Sequence, residues 1–301
     1  MRILFITATR LGDAVLSTGL LSHLLTIWPD AQFTVACGPV AAGLFEHMPR
    51  LQHLHIMTKR RYDLHWFDLW KACAGHKWDI TVDLRGSAVT FLLRSGKRYI
   101  MRGGRRPGLR TEHLAQVLRL SSPPSPVIWT SEADKHYVNT FLPAHTPLIA
   151  LGPTANWSGK IWPAENYLPL WKALSECYPQ ARPVVLYGPG PQEQALAQPL
   201  LDTLPGVIDA GGKFSLSQTA AILMRCRLYI GNDSGLMHLS AAAGTPTLGL
   251  FGPSRVSEYA PSGQHTAWVV ADGPEGHAPI TGLCVSTVTE AALTMMDSLP
   301  L

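Results

Sequence analysis

The side chains with the clearest potential for chemistry lie between residues 229 and 253. This segment predicts a buried strand, a tight turn that holds Asp233 and Ser234, and a helix in which His238 lies one turn after Ser234. Unpaired N–H groups and the helix dipole at the start of a helix favour an anionic group such as a phosphate. The alternative is that Asp233 or Ser234 only caps the helix. The next strand ends in a second turn, residues 251–254, at the sheet edge where ligands of open α/β sheets bind.

Asp13 and Lys160 follow two other predicted strands in the same manner. Asp13 lies at the opening of a helix that runs to about Ile27, after a strand at residues 3–7. A carboxylate there is either a general base at the ligand edge of the sheet or a residue that only stabilises the helix dipole. Lys160 lies in a polar loop after the strand that starts at Leu148. Its ammonium group either meets phosphate oxygens or is simply solvated.

Two common enzyme classes do not fit these turns. Gly231 lies three residues before Ser234 and Gly235 follows it directly, so the chain lacks the glycines that lie two residues on either side of a serine hydrolase nucleophile. The first strand-to-helix turn contains only Gly12, whereas a dinucleotide-binding dehydrogenase needs three glycines. The 12 histidines form no His-Glu-x-x-His pattern, so no metal site is predicted.

The hydrophobic pattern predicts an α/β protein with two doubly wound Rossmann-like domains that face a cleft. A chain of 301 residues exceeds what one core usually holds. We place the domain boundary between residues 145 and 146, after a helix at residues 132–142, and expect a last helix at residues 288–299 to pack back on the first domain. The predicted strands lie near residues 2–7, 32–37, 54–57, 79–83 and 99–101, then from residue 148 and near residues 183–187, 206–209, 227–231, 247–251 and 267–270.

The composition predicts an enzyme of a reducing compartment. Charged residues make up 15% of the chain, against about 25% in average proteins, which fits parallel sheets that are buried on both faces. The five cysteines form no close pair, so we interpret them as buried apolar residues. No apolar run approaches 18 residues, and the expected location is therefore the cytoplasm.

Basic residues cluster in the N-terminal half. Between Arg94 and Arg119 there are eight basic residues and one acidic residue, Glu112, and residues 59–61 form a second cluster. These clusters are either a solvated face or contacts for an anionic acceptor or an anionic membrane surface. A net charge of only +4, without any recognition-helix or zinc-finger pattern, argues against nucleic acid as a partner.

Taken together, three stretches resemble glycosyltransferase family 9, the heptosyltransferases of lipopolysaccharide core assembly. They lie in the family's order and at its approximate spacing, so the resemblance spans nearly the whole chain. The matching residues are the N-terminal strand with Arg10-Leu11-Gly12-Asp13, the segment Lys160-Ile161-Trp162-Pro163-Ala164-Glu165, and the segment Gly231-Asn232-Asp233-Ser234-Gly235-Leu236-Met237-His238 followed by Leu250-Phe251-Gly252-Pro253.

The resemblance implies a GT-B fold with an acceptor-binding domain at residues 1–145 and a nucleotide-sugar-binding domain at residues 146–301. It implies an inverting, metal-independent transfer of a heptose from ADP-heptose to a lipopolysaccharide core or related anionic glycan, with no cofactor. The partners would be the donor, an anionic glycolipid or glycan and, peripherally, the inner membrane. The alternatives are a transferase that uses another nucleotide sugar, a nucleotide-sugar epimerase or hydrolase on the same scaffold, and a binding protein without turnover.

The same resemblance assigns roles to individual residues. Asp13 would be the general base. The donor diphosphate would be bound by Lys160, Asp233, Ser234, Gly235 and His238. Candidates for nucleoside contacts are Thr154 and Glu193, and the candidates for acceptor binding are Arg10, Arg60, Arg61, Arg102, Arg105 and Arg106.

Overall fold

The computed structural model describes residues 1–104 and 106–299 and divides into two compact units, Met1–Trp129 and Thr130–Leu301. Each unit contains its own parallel sheet with helices. The predicted class, an α/β protein with two doubly wound domains, is confirmed. Within the described part of the chain, no helix combines the length and the apolar character that crossing a bilayer requires.

The first unit is built on a five-stranded sheet in the order β3-β2-β1-β4-β5. Its strands are β1 (Arg2–Ile6), β2 (Gln32–Cys37), β3 (Leu51–Ile56), β4 (Lys77–Asp83) and β5 (Arg94–Ile100). Its helices are α1 (Leu11–Ile27), α2 (His65–Cys73) and α3 (Arg110–Val117), with short 3₁₀ helices at Pro39–Leu44, Arg61–Asp63 and Ala88–Leu92. The central strand β1 is an apolar run because both faces of the sheet are covered.

Strand β5 begins at Arg94, whereas its apolar residues predicted a start five residues later, at residue 99. The first residues of the strand include Arg94, Lys97 and Arg98, whose charges conceal any strand pattern in the sequence. They are tolerated because β5 is an edge strand whose side chains are mostly exposed, and charged side chains on an edge discourage pairing with other chains.

The second unit contains a six-stranded parallel sheet in the order β11-β10-β9-β6-β7-β8. Its strands are β6 (Leu148–Gly152), β7 (Arg182–Val185), β8 (Ile208–Asp209), β9 (Leu228–Asn232), β10 (Thr247–Phe251) and β11 (Thr266–Val270). Its helices are α4 (Glu132–Phe141), α5 (Tyr167–Cys177), α6 (Pro191–Thr203), α7 (Leu216–Met224), α8 (Gly235–Ala242), α9 (Val256–Tyr259) and α10 (Val285–Asp297), and its short 3₁₀ helices are Ser158–Lys160, Ala164–Asn166 and Ile280–Gly282.

The boundary between the units precedes α4, whereas the sequence pattern suggested a boundary after it. Helix α4 packs on α7, where Ser217 Oγ donates a hydrogen bond of 2.8 Å to Asp134 Oδ2. Helix α10 packs on α5 and β11, and Val288, Ala292 and Met296 enter the core of the second unit. The apolar face of α10, which was expected to pack on the first domain, is therefore buried in the core of the second unit.

Strand order fixes where each unit can bind a ligand. In the second sheet the chain runs outward from β6 to β8 and then returns to the other side of β6 as β9, so the switch point lies between β6 and β9. Crevices form at such switch points beyond the carboxyl ends of the strands. In the first sheet the switch point lies between β1 and β4. The connections that follow β1, β6 and β9 lead to Asp13 in the first turn of α1, to Lys160 in the 3₁₀ helix Ser158–Lys160, and to Asp233 in the turn before α8.

Candidate active site

Asp233 lies in the turn between β9 and α8, and both of its polar groups are engaged within the protein. Its carboxylate is 2.6 Å from Lys160 Nζ through Oδ2 and 3.9 Å from His238 Nε2 through Oδ1. Its backbone N–H donates a hydrogen bond of 3.1 Å to the carbonyl oxygen of Leu250. The side chains of Asp233 and His238 are buried, and that of Lys160 is 25% exposed. The turn therefore brings together three residues that the sequence analysis assigned to the diphosphate.

The contacts of Asp233 change the interpretation of that residue. The resemblance groups Asp233 with the phosphate-binding residues, but a carboxylate repels phosphate and this one already accepts a hydrogen bond from an ammonium group. Asp233 fixes the position of Lys160 and lies beside His238. The cationic group at the switch point is thus Lys160, held on a buried anion.

Ser234 and Gly235 form the start of α8. Ser234 occupies the N-cap position, but its side chain makes no capping hydrogen bond to the described residues, so helix capping does not explain its presence. Gly235 is the first residue of the helix. The first N–H groups of an α-helix have no partner within the helix, so the turn presents donors at a positive dipole end.

Trp162, two residues after Lys160, ties this loop to other segments of the unit. The backbone N–H of Trp162 donates to Asn232 Oδ1 at 3.0 Å, and its indole N–H donates to the carbonyl of Leu283 at 2.9 Å. The ring is fully buried and packs edge to face on Tyr167, with centroids 4.9 Å apart. Trp162 and Asn232 therefore join the loop after β6 to the end of β9. Neither residue has a role predicted from the sequence, although both lie in the matching motifs.

Tyr229 occupies the space beneath the site. Gly152 and Gly231 are paired across β6 and β9, and a Cβ atom added to them would lie 2.0 and 2.4 Å from Tyr229 Oη. Burial raises the pKa of Tyr229, which keeps the phenol neutral. Both glycines are required because the tyrosine ring fills the volume where side chains would project. The sequence offered no signal for this contact.

Buried polar atoms at the same sheet edge lack a hydrogen-bond partner among the described residues. They include Asn232 Nδ2, at the end of β9, Ser234 Oγ, in the turn that follows, and Ser254 Oγ, in the turn after β10. An unsatisfied buried polar group costs about 1–3 kcal/mol, so such atoms are candidates for contacts with a ligand.

The candidate nucleoside-binding residues lie in two loops of this unit. Thr154 follows β6 and is buried. Glu193 lies in the first turn of α6, after β7, and its Oε2 accepts a hydrogen bond of 3.2 Å from the backbone N–H of Gly188. Each of the two residues therefore lies after a strand of the second sheet.

In the first unit, Asp13 lies in the first turn of α1 and is paired with Arg110. The distance from Asp13 Oδ1 to Arg110 Nε is 3.5 Å, and both side chains are partly exposed, at 23% and 27%. Arg110 is the first residue of α3. In the sequence Arg110 stands out only as a member of the basic cluster, because no local pattern indicates that α3 meets α1.

The candidate acceptor-binding arginines have different surroundings. Arg10 is an exposed residue at the N-cap of α1. Arg60 is held by Asp68 at 2.6 Å, and Arg61 stacks 4.7 Å above the ring of Tyr62. A cavity of about 180 Å³ is lined by residues that include Arg102, Arg106, Arg110 and His113. Arg105 lies outside the described residues.

The described residues contain no group of three or more His, Cys, Asp or Glu side chains that could hold a metal ion. The arrangement instead offers an ammonium group and helix amides in the second unit, and a carboxylate beside a guanidinium group in the first. These groups suit an anionic leaving group and the removal of a proton, respectively.

Comparison with known proteins gives a consistent result. The model of glycosyltransferase family 9 (heptosyltransferase) matches residues 109–279, more than half of the chain. Lipopolysaccharide heptosyltransferase 2 of Escherichia coli (strain K12) is 32% identical over 158 residues, which cover 49% of this chain but only 44% of that relative. Its namesake from Salmonella typhimurium is 25% identical over 322 aligned positions, which cover 90% of this chain and 88% of the relative.

A solved structure shows the same fold. E. coli heptosyltransferase WaaC with ADP superposes with a TM-score of 0.77 at 18% identity, covering 98% of this chain and all of that one (100%). At this identity the likeness establishes the two-domain fold and no more.

Proposed function

This chain belongs to glycosyltransferase family 9, a family of sugar-transferring enzymes, and on that basis we propose that it transfers a heptose from ADP-heptose to the lipopolysaccharide core or a related anionic glycan. The observation that carries the proposal is the Lys160–Asp233 pair at the switch point of the second sheet, beside the N-terminus of α8. The heptosyltransferase relatives support the sugar, and the relative solved with ADP supports the nucleotide.

The proposed reaction exchanges one bond at the anomeric carbon. An acceptor hydroxyl oxygen attacks that carbon from the face opposite the diphosphate, the bond from the carbon to the diphosphate oxygen breaks, and ADP leaves with the bonding electron pair. The configuration at the carbon inverts. Negative charge grows on the diphosphate as the bond breaks, so cationic and N–H groups that contact it there lower the barrier.

Lys160 is proposed to stabilise this charge. An ammonium group has three N–H donors, and one of them is directed to Asp233, which leaves two for phosphate oxygens. The N–H groups at the start of α8, which begins at Gly235, add neutral donors at the positive end of a helix dipole. We therefore assign direct diphosphate contacts to Lys160, Ser234, Gly235 and His238, and a positioning role to Asp233.

Asp13 is proposed to take the proton of the acceptor hydroxyl. A general base must be ionised and accessible, and the Asp13 carboxylate is partly exposed next to the guanidinium group of Arg110. Arg110 orients one carboxylate oxygen and leaves the other for the hydroxyl. The neighbouring basic cavity, with Arg102 and Arg106, fits an acceptor that carries negative charge.

Thr154 and Glu193 are proposed to contact the nucleoside. The carboxylate of Glu193 is fixed by the Gly188 N–H, and a carboxylate suits the hydroxyl groups of a ribose. No metal ion enters the proposed mechanism, since Lys160 and the helix amides supply the positive potential that a divalent ion would otherwise provide.

The proposal is tested by incubating the purified protein with ADP-heptose and a heptose-deficient lipopolysaccharide acceptor and measuring ADP release and glycan mass, with and without a chelator. We expect acceptor-dependent release of ADP and a mass gain of one heptose, unchanged by the chelator. In a thermal shift panel, ADP at a hundred times its Kd should raise Tm by roughly five to ten degrees, more than UDP, GDP or CDP.

The other functions give different results in the same experiment. A preference for UDP or GDP would indicate another activated sugar. Consumption of the nucleotide sugar in the absence of acceptor would indicate an epimerase or a hydrolase. Binding without turnover of any nucleotide sugar would contradict the assignment of Asp13 as a working base.

A further inference from the structure

Trp157 lies in the loop after β6, three residues before Lys160, and it is 53% exposed. Two other tryptophans of the second unit, Trp162 and Trp171, are buried in its core. A single exposed aromatic side chain is ordinary on a protein surface. Two features distinguish Trp157 from such a residue. Its ring packs against a glycine, and its backbone is part of the turn that carries Lys160.

Gly159 makes room for the ring of Trp157. A Cβ atom added to Gly159 would lie 2.7 Å from Cζ2, 2.9 Å from Cε2 and 3.0 Å from Cη2 of the indole. The ring therefore occupies the space into which a side chain at residue 159 would project. Gly159 is not among the glycines with a positive φ angle, so the close contact with the ring, and not the backbone conformation, requires glycine here. A ring that is already packed on one side loses less conformational freedom when a ligand covers its exposed part.

The same short turn positions Lys160. Trp157 is the N-cap residue of the 3₁₀ helix Ser158–Lys160, and its carbonyl oxygen accepts a hydrogen bond of 3.0 Å from the backbone N–H of Lys160. Three residues of a 3₁₀ helix rise by about 6 Å, a distance comparable to one sugar ring. The ammonium group of Lys160 is in turn held on Asp233. A ligand whose phosphate meets Lys160 therefore has its neighbouring group close to Trp157.

The connectivity of a nucleotide sugar indicates which group that is. Its two sugars are bonded directly to the diphosphate, whereas the nucleobase is separated from the diphosphate by the ribose. The ribose is proposed to contact Glu193, which lies at the start of α6 in a different part of the chain. The group that remains beside Lys160 is the sugar to be transferred.

We propose that Trp157 stacks on the ring of the transferred sugar and thereby contributes to the selection of the donor. The faces of a pyranose carry C–H groups with weakly positive hydrogens, and the face of an indole is negative, so the two attract each other. The contact also removes exposed apolar surface of the indole from water. The proposal rests on the proposed function for the presence of a nucleotide sugar at Lys160. It makes Trp157 a specificity-determining residue, because a nucleoside diphosphate without a sugar gains nothing from the stack.

The test compares the binding of ADP-heptose and of ADP by calorimetry, without acceptor, in the natural chain and in two variants. Trp157→Leu keeps an apolar side chain without a π face, and Trp157→Phe keeps a smaller ring. We expect Trp157→Leu to weaken the binding of ADP-heptose about tenfold and to leave the Kd of ADP within about twofold, with Trp157→Phe between the natural chain and the leucine variant. The matched control is Trp268→Leu, which replaces an exposed tryptophan of the edge strand β11 and should bind both ligands like the natural chain.

Unchanged ADP binding also shows that the leucine variant is folded. Equal losses of affinity for ADP and ADP-heptose in Trp157→Leu would show that the ring contacts the nucleotide, and unchanged affinity for ADP-heptose would show that it contacts no part of the donor. Either result would overturn the proposal.

A failure of the proposed function gives a different result. If the natural chain binds another nucleotide sugar in place of ADP-heptose, the same comparison is made with that nucleotide sugar and its free nucleoside diphosphate. A selective loss of the nucleotide sugar in Trp157→Leu would then support the stack and refute only the heptose donor. Equal or absent losses would overturn the stack as well.

Discussion

The Nζ atom of Lys160 lies 2.6 Å from Oδ2 of Asp233, across 73 residues of chain. The carboxylate is almost fully buried and the ammonium group is partly exposed, so the pair presents its positive end to solvent at the switch point of the sheet. Breaking a buried ion pair leaves an uncompensated charge, which is far more costly than replacing both partners. Single and double substitutions of Lys160 and Asp233 should therefore show whether the two side chains form an ion pair.

Lys160→Ala should destabilise the fold by about 3 kcal/mol, because the carboxylate of Asp233 loses its cation. Adding Asp233→Asn to that variant should recover part of the loss, and the double-mutant cycle should give a coupling of about 1–3 kcal/mol. Urea unfolding measures both quantities. Additive effects would contradict the pairing. In steady-state kinetics, Lys160→Ala should raise the donor KM and lower kcat together, since the charge acts in the transition state as well as in binding.

Asp13→Asn should lower kcat by roughly two to four orders of magnitude, the usual contribution of a positioned base. The affinity for ADP should remain unchanged, because Asp13 belongs to the first unit and the proposed diphosphate contacts belong to the second. The control is Asp30→Asn, which removes an exposed carboxylate of the first unit and should leave kcat intact. Near-normal turnover of the Asp13 variant would refute its role as the base.

Arg102→Gln/Arg106→Gln should raise the KM for an anionic acceptor several-fold and reduce the salt dependence of that KM, because the cavity loses two positive charges. Adding Arg105→Gln should increase the effect. The donor KM should not change. Lys172→Gln, on an exposed face of α5, serves as the charge control. Equal changes in the donor and acceptor KM would show that the cavity does not bind the acceptor.

Gly231→Ala should destabilise the fold by about 1–3 kcal/mol, because the added Cβ would lie 2.4 Å from Tyr229 Oη. That loss lowers Tm by a few degrees for a domain of this size. Removing the hydroxyl group with Tyr229→Phe should restore part of the loss. Gly282→Ala adds a Cβ where no atom lies within 4 Å, and its Tm should match that of the natural chain.

The five free cysteines should react in two classes. Burial raises the pKa of Cys37, Cys73 and Cys226 to about 12, so their thiols stay protonated and shielded, whereas Cys177 and Cys284 are exposed. At pH 8 a thiol reagent should label two cysteines in the native protein and five after unfolding, as counted by mass spectrometry. These thiols hold their protons more tightly when folded, so their ionisation should destabilise the fold as pH rises above about 9. Rapid labelling of a third cysteine would contradict the burial.

Several elements could be predicted from the sequence because their signals are local. Short apolar runs bounded by turn residues identified β1, β9 and β10, and a helical pattern that stops before Pro29 identified α1. The residues that follow β1, β6 and β9 were correctly placed after strands. Strand β5 was too short in the prediction, since charges on an exposed edge carry no apolar period.

Contacts between distant segments were decided by the tertiary structure. The order of the strands, which the chain does not encode at any one position, brings the loops after β6 and β9 together and so joins Lys160 to Asp233. It likewise places Tyr229 under two glycines from different strands.

The sequence alone therefore determined where strands and turns lie and which candidate residues follow them, since backbone propensity and apolar period act over a few residues. The partner of each polar group was determined only by the packed sheets. The structure pairs Asp233 with Lys160 and Asp13 with Arg110, because a charge removed from water needs a counter-charge among the side chains that the crossovers bring near.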